Sequence, residues 1–210
     1  MTYTVVAIAR TLSASGETIG RTIAAECGMR YVDNEIIDQA AALIGVTEQD
    51  LAQAETETRK SLVERILESF APASAAADVA VTQALAKPPG YERVIVDVIH
   101  RTAGEGNVVI VAHGAAIALA GMKGVLRVLV TASPKTRVDR LMELGRGKTT
   151  ATRLIEESDA SRAEFLRRFY GLEMESPTDY DLVVNTDRVS TDEVAVLIRG
   201  MIERAKAWPR

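Results

Sequence analysis

The chain has 210 residues, one cysteine, 47% hydrophobic and 26% charged side chains, and a formal net charge of −4. That composition suits one globular domain with room for an inserted lobe. The acidic balance argues against broad adhesion to nucleic acid or membrane, and the lone Cys27 excludes an internal disulfide framework and fits a reducing compartment. No charged-then-apolar leader precedes Tyr3, and no apolar run approaches the about 18 residues a spanning helix needs. The expectation is a cytoplasmic protein without nucleic-acid or membrane partners.

The first element is an apolar, β-branched run at 4–9, read as a buried strand. A small-residue turn follows, and then an amphipathic helix that ends at Gly28. Strand, turn and helix in this order outline a phosphate-binding loop. In the pattern G-x-x-x-x-G-K-[ST], backbone N–H groups cradle phosphate, the lysine neutralises it and the hydroxyl holds Mg²⁺. Here the turn reads Ser13, Ala14, Ser15, Gly16, Glu17, Thr18. Counted back from Gly28, Gly16 stands at the lysine position and Glu17 at the hydroxyl position. The small residues let N–H groups approach an anion at the positive end of the helix. Glu17 would repel a triphosphate unless Mg²⁺ or an arginine lies between. The same residues also fit an ordinary strand-to-helix turn with an acid in its first helical turn.

A short strand is expected at 29–32. Asp33 follows it, as a ligand for a base, ribose or metal, or equally as the N-cap of a helix over 35–43. Residues 34–103 read as almost continuous helix, broken near Gly45, Pro72 and 87–90. Within them the Ala-rich stretch 71–86 suits close helix packing, inside the chain or across a homodimer. His100, in a helix before Gly104, reads as a C-terminal cation. The next strand, 108–112, is followed by His113-Gly114 at the carboxyl edge, where open α/β sheets bind ligands. Strands at 126–131 and 181–185 complete a parallel sheet with helices on both faces. Between them Ser133-Pro134 opens a helix as N-cap and first-turn proline. That helix carries Arg137, Arg140 and Leu141 and closes at Gly145 and Gly147. Asp159 and Arg162 form an i, i+3 pair on the following helix. Clustered arginines suit phosphoryl transfer, which is largely positioning and charge neutralisation; a solvated helix laced with Glu143, Glu156, Glu157 and Glu164 is the alternative. The last helix opens with a capping box at 190–193 and presents Val194, Leu197, Ile198 and Met201 on one face. There is no Cys/His cluster, nucleophile elbow or G-x-G-x-x-G fingerprint, and no metal ligand is assigned.

Six segments in order and spacing carry a resemblance: IGRTIAAECG, then YVDNEII, NVVIVAHGAA, VLRVLVTASPKTRVDRLMEL, the D-x-x-R of Asp159 and Arg162, and YDLVVNTDRVSTDEVAVLI. Across nearly the whole chain they resemble the cytidylate kinase-like family of P-loop nucleoside monophosphate kinases. The resemblance implies a three-layer α/β/α P-loop NTPase core, an inserted monophosphate-binding lobe at 34–103 and a lid at 145–168. It implies transfer of the ATP γ-phosphoryl to CMP or dCMP with Mg²⁺. Ser13, Ala14, Ser15, Gly16, Glu17 and Thr18 would be the phosphate loop, and Arg137, Arg140 and Arg162 the catalytic arginines. Asp33, His113, Asp159 and Arg162 would face the acceptor, with Asn185, Thr186 and Asp187 on the adenine side. The chain departs from the family where a loop lysine or glycine is replaced and where Gly-Arg-Gly becomes Ala112-His113-Gly114. A nucleotide-sensing protein without turnover, and a kinase for a non-nucleotide small molecule, are the two other readings.

Overall fold

The structure, a computed structural model, describes residues 3–33, 36, 91–112, 114–173 and 175–207. Five strands pair in parallel: β1 Val5–Arg10, β2 Arg30–Val32, β3 Val108–Val111, β4 Val125–Thr131 and β5 Leu182–Asn185, in the order β2-β3-β1-β4-β5. Val5 stands opposite both Val108 and Val125, and Thr131 opposite Asn185. All five strands expected from the apolar runs are present, with ends moved by a residue or two.

Alternation along β1 builds the layers. Val5, Ala7 and Ala9 enter one core, and Val6 and Ile8 enter the other, because successive strand side chains point to opposite faces. The first face is covered by α2 Tyr91–Glu105 and the short α3 Ala115–Ala118. The second is covered by α1 Gly16–Cys27 and α6 Thr191–Ala207. Helices α4 Pro134–Glu143 and α5 Lys148–Tyr170 close a smaller core of Leu12, Val138, Leu141, Ala151, Leu154 and Ile155. The fold is the three-layer α/β/α arrangement, and no helix among the described residues is long and apolar enough to cross a membrane.

Local chemistry sets the helix ends. Gly28 takes a left-handed φ of 63° and ends α1. Ser133 accepts from the Thr136 backbone N–H at 3.3 Å, with Pro134 in the first turn. At the start of α6, Ser190 N–H donates to Glu193 at 2.8 Å and Glu193 N–H to Ser190 Oγ at 3.3 Å, which completes the capping box and holds the Glu193 carboxyl below its ordinary range. Three expectations are corrected. Leu197 is exposed, and Ala195 and Ile202 complete the buried stripe with Val194 and Ile198. Gly147 opens α5 as its N-cap and does not end α4. His100 is exposed within α2, which runs on to Glu105, so it stands a turn short of the helix end. The expected breaks near Gly45, Pro72 and 87–90, the Ala-rich stretch 71–86 and most of the expected lobe lie outside the described residues.

One glycine sets how α1 lies on the sheet. A Cβ at Gly20 would sit 2.7 Å from Val111 Cγ2 and 3.1 Å from Tyr31 Cε2. Overpacking of this kind costs about 1–3 kcal/mol. Gly20→Ala is therefore expected to lower the unfolding free energy by that amount, read as a lower denaturant midpoint with an unchanged slope.

Candidate functional site

The carboxyl edge of the sheet collects most of the chemistry read from the sequence. Strand order reverses about β1, with β3 on one side and β4 on the other, the place where α/β sheets bind ligands. The chain leaves β1 at Arg10 and reaches α1 through Thr11–Ser15. Thr11 N–H donates to Val130 O and Ala14 N–H to Thr11 O, each at 3.1 Å. Ser13 and Ser15 take left-handed φ of 60° and 68°, a region non-glycine residues enter at a cost and chiefly at functional turns. Ser15 is the N-cap of α1 and makes no side-chain cap bond. The first N–H groups of a helix have no intrahelical acceptor, so those of Gly16, Glu17 and Thr18 open the helix without a side-chain cap.

Two arginines hold this turn. Arg140 of α4 donates through Nη1 to Ser13 O at 2.9 Å and Thr186 Oγ1 at 3.0 Å, and through Nη2 to Thr186 O at 2.7 Å. The buried Thr186 hydroxyl lies within bonding distance of Ala14 O, 3.1 Å, and Thr131 O, 3.2 Å. The loop, Arg140 and Thr186 thus form one network. Beneath it, Arg10 is 3% exposed and its guanidinium is ion-paired with the Glu17 carboxylate. Its stem runs under the start of α1: a Cβ at Gly16 would lie 2.6 Å from Arg10 Cβ and 2.9 Å from Cγ. The glycine at the lysine position is there because Arg10 fills the space a side chain would need.

The remaining site residues form a second group. Arg137, buried, donates to Ala132 O at 3.1 Å and grips Asp159 with both Nη atoms at 2.8 and 2.7 Å, tying α4 to α5. Arg162, 5% exposed, donates through Nη1 to Arg10 O at 3.2 Å. Its Nε and Nη2 hold the two oxygens of Glu175 at 3.1 and 2.5 Å, and the Tyr180 hydroxyl also donates to Glu175. Arg153–Glu157 and Arg167–Glu164 are exposed surface pairs, so the solvated-helix reading holds for those residues and not for Arg137 or Arg162. A cavity of about 270 Å³ opens beside Thr11, Asp159 and Arg162.

On the flanks, Asp33 accepts from Arg21 at 3.1 Å, and the Arg21 guanidinium lies 4.3 Å from the Tyr31 ring centroid. Asn185 Oδ1 accepts from Asp187 N–H, and Asp187 Oδ1 accepts from Ser133 N–H, both at 2.8 Å. That backbone bond holds the Asp187 carboxyl below its ordinary range. His113 lies outside the described residues. Its neighbour Gly114 is pressed by Tyr170, whose hydroxyl oxygen lies 2.4 Å from where a Cβ would stand. Burial pushes that phenol well above its usual range.

A family model, the cytidylate kinase-like family, matches residues 5–188. The chain belongs to this family. No protein of curated function matches the sequence. An uncharacterized protein from Eubacterium ventriosum is similar, with 16% identity, 95% of this chain and 98% of that one covered, and a TM-score of 0.65. Shikimate kinase from Bacteroides thetaiotaomicron shares 16% identity over 95% and 98% of the two chains, with a TM-score of 0.52. The YorR protein of Bacillus subtilis, solved with phosphorylated GDP, shares 12% identity over 99% and 100%, also at 0.52. At these identities the likeness is one of fold, that of the P-loop kinases.

Sequence reading missed Arg10, Glu175 and Tyr180. Arg10 carried a usable signal: a charge that ends an all-apolar strand is buried with its strand and needs a partner, and Glu17 lies one loop away. Glu175 and Tyr180 carried none.

Two outcomes follow from this geometry. Gly16→Lys is expected to lower stability by about 1–3 kcal/mol through overpacking against Arg10 and to leave nucleotide affinity no better, as read by thermal melts and calorimetry. Asp187 has a folded pKa depressed below the unfolded value of about 3.9, so its contribution is present above that pH and lost as pH falls through the folded value. Asp187→Asn should therefore show a shallower loss of stability below about pH 4 than the parent, measured by denaturant midpoints across that range.

Proposed function

We propose that this protein is a phosphotransferase that seats the polyphosphate of ATP over Ser13, Ala14, Ser15, Gly16, Glu17 and Thr18 and passes its γ-phosphoryl to a small acceptor in the adjoining cavity. One observation carries the donor half: a β1–α1 turn held with two serines in the left-handed region, opening onto an uncapped helix start at the reversal point of the sheet. Such a turn presents N–H groups and a positive dipole end to an anion. Asn185, Thr186 and Asp187, beside the same turn, are assigned to the adenine side. Arg137, Arg140 and Arg162 act by positioning: Arg140 through its bonds to Ser13 and Thr186, and Arg137 and Arg162 by fixing α5. In this reading residues 145–168 are the lid and 34–103 the acceptor lobe, with Asp33 and His113 facing the acceptor. Nucleotides are the small-molecule partners.

In the transfer, the acceptor hydroxyl oxygen forms a bond to the γ-phosphorus. The bond from that phosphorus to the β–γ bridging oxygen breaks, its electron pair leaves with ADP, and the hydroxyl proton is released. ATP ordinarily comes with Mg²⁺, which the family resemblance also implies. The loop's own residues do not fit a protein-held metal. Glu17, at the hydroxyl position, is engaged by Arg10, the chain leaves β3 through Val111 and Ala112 without a carboxylate, and no group of three His, Cys, Asp or Glu among the described residues is placed to hold a metal ion.

A second reading keeps CMP or dCMP as acceptor, and the family match favours it. A nucleotide sensor without turnover is separated from both by experiment. Calorimetry with ADP is expected to show binding, and ATP-Mg²⁺ with an acceptor panel to show acceptor-dependent ADP formation. Binding without ADP formation would leave the sensor. Arg140→Met, which removes charge-assisted bonds to Ser13 O and Thr186, should weaken ADP binding roughly tenfold, about 1.4 kcal/mol; an unchanged affinity would take the nucleotide off this loop.

A further inference from the structure

Helix α6 closes the second face of the sheet with Val194, Ala195, Ile198 and Ile202. Its outer side carries a pattern that no contact among the described residues accounts for. Val196 and Leu197 are 54% and 48% exposed, two large apolar side chains left outside the buried stripe. Gly200 stands one turn on, within a helix of 17 residues. Glycine weakens a helix interior relative to alanine and most other residues, so its place there needs a reason. At Gly16 and Gly20 the reason is internal, since a Cβ would strike a neighbour, whereas a Cβ at Gly200 would meet nothing within 4 Å. The space beside Gly200 opens outward. Glu193 and Arg204, both exposed, lie on the two sides of it along the helix. Both side-chain bonds from Ser190 end on Glu193 Oε2, which leaves Oε1 for another donor. Arg204 has no partner among the described residues.

We propose that this face of α6 binds the same face of a second copy of the chain, with the two helices antiparallel. Glu193, Leu197, Gly200 and Arg204 follow one another at steps of four, three and four residues. Those steps place them on one stripe of the helix, with Val196 beside it, and they read the same in either direction. A two-fold contact joins a patch to itself, so the stripe of one copy runs against the reversed stripe of the other. Leu197 then falls on Gly200 of the second copy, where the missing side chain gives it room. Glu193 falls on Arg204 of the second copy, and each match occurs twice. A parallel pairing would set Glu193 on Glu193 and Arg204 on Arg204, like charge on like. Shape and charge therefore select an antiparallel second copy as the occupant. A single helix face makes a contact at the small end of specific interfaces, so the dimer is a micromolar one. This inference is independent of the phosphotransferase reading.

The test is sedimentation velocity of the full-length protein across the micromolar range, for the parent, Leu197→Lys, Gly200→Gln and Arg204→Glu, with a thermal melt of each when dilute. The parent is expected to pass from monomer to dimer, and each variant to raise the dissociation constant by about tenfold or more. The effect of Arg204→Glu, which sets an acid against Glu193 of the second copy, is expected to shrink at high salt. Gly200→Gln is expected to raise the melting temperature of the dilute protein, because glutamine is the better helix former. Weaker association together with a more stable monomer is a result that damaged folding cannot produce. A parent that stays monomeric throughout would overturn the inference and leave the face to a different partner. A dimer whose constant none of the variants changes would place the contact elsewhere and overturn it equally. A lowered melting temperature for Gly200→Gln would assign the glycine to the fold itself, with the same consequence.

Discussion

The structure depends on the way two guanidinium groups hold the turn between β1 and α1. Ser13 and Ser15 take the left-handed conformation, which costs an L-residue about 1–2 kcal/mol each. Neither is a glycine, so the surroundings must impose the shape. Arg140 does so from one side by bonding Ser13 O and the Thr186 segment, and Arg10 does so from below by filling the space under Gly16. Removing either would leave buried partners without their bonds, a loss of several kcal/mol in a protein whose margin is of that size. The conformation of the loop is therefore set by α4, β1 and the strand-β5 exit together.

This arrangement explains how the loop manages its charge. A lysine at the turn would add a cation facing the ligand. Here the cation is Arg10, underneath, and it is spent on Glu17, so the pair leaves the turn close to neutral. What remains for an anion is the set of backbone N–H groups and the positive end of α1. The same economy recurs next door, where Arg137 and Arg162 are engaged by Asp159 and Glu175. Buried arginines in this protein hold elements in register, and what they leave open on the loop is a set of backbone donors.

Much of the fold was legible because the central strands are short, continuous apolar runs buried on both faces, as Val5 to Ala9 show. The caps at Ser133 and Ser190 were legible because their bonds are local. The site was legible only as a set of positions. The loop, Asp159, Arg162 and Thr186 were named, but partnership across the chain is a property of packing. Nothing near Arg162 in sequence marks Glu175 as its partner, and Arg10 looked like the residue after a strand when it is the last residue of it. Glu17 was expected to repel a triphosphate unless Mg²⁺ or an arginine lay between. The structure pairs it with Arg10 from beneath.

The most direct test of this account is an ADP titration followed by backbone amide resonances. If the turn binds polyphosphate through its own N–H groups without an ammonium, the largest shifts must fall on Ser15, Gly16, Glu17 and Thr18 and saturate together. Shifts confined to other parts of the sheet edge, or none at millimolar ADP, would contradict it.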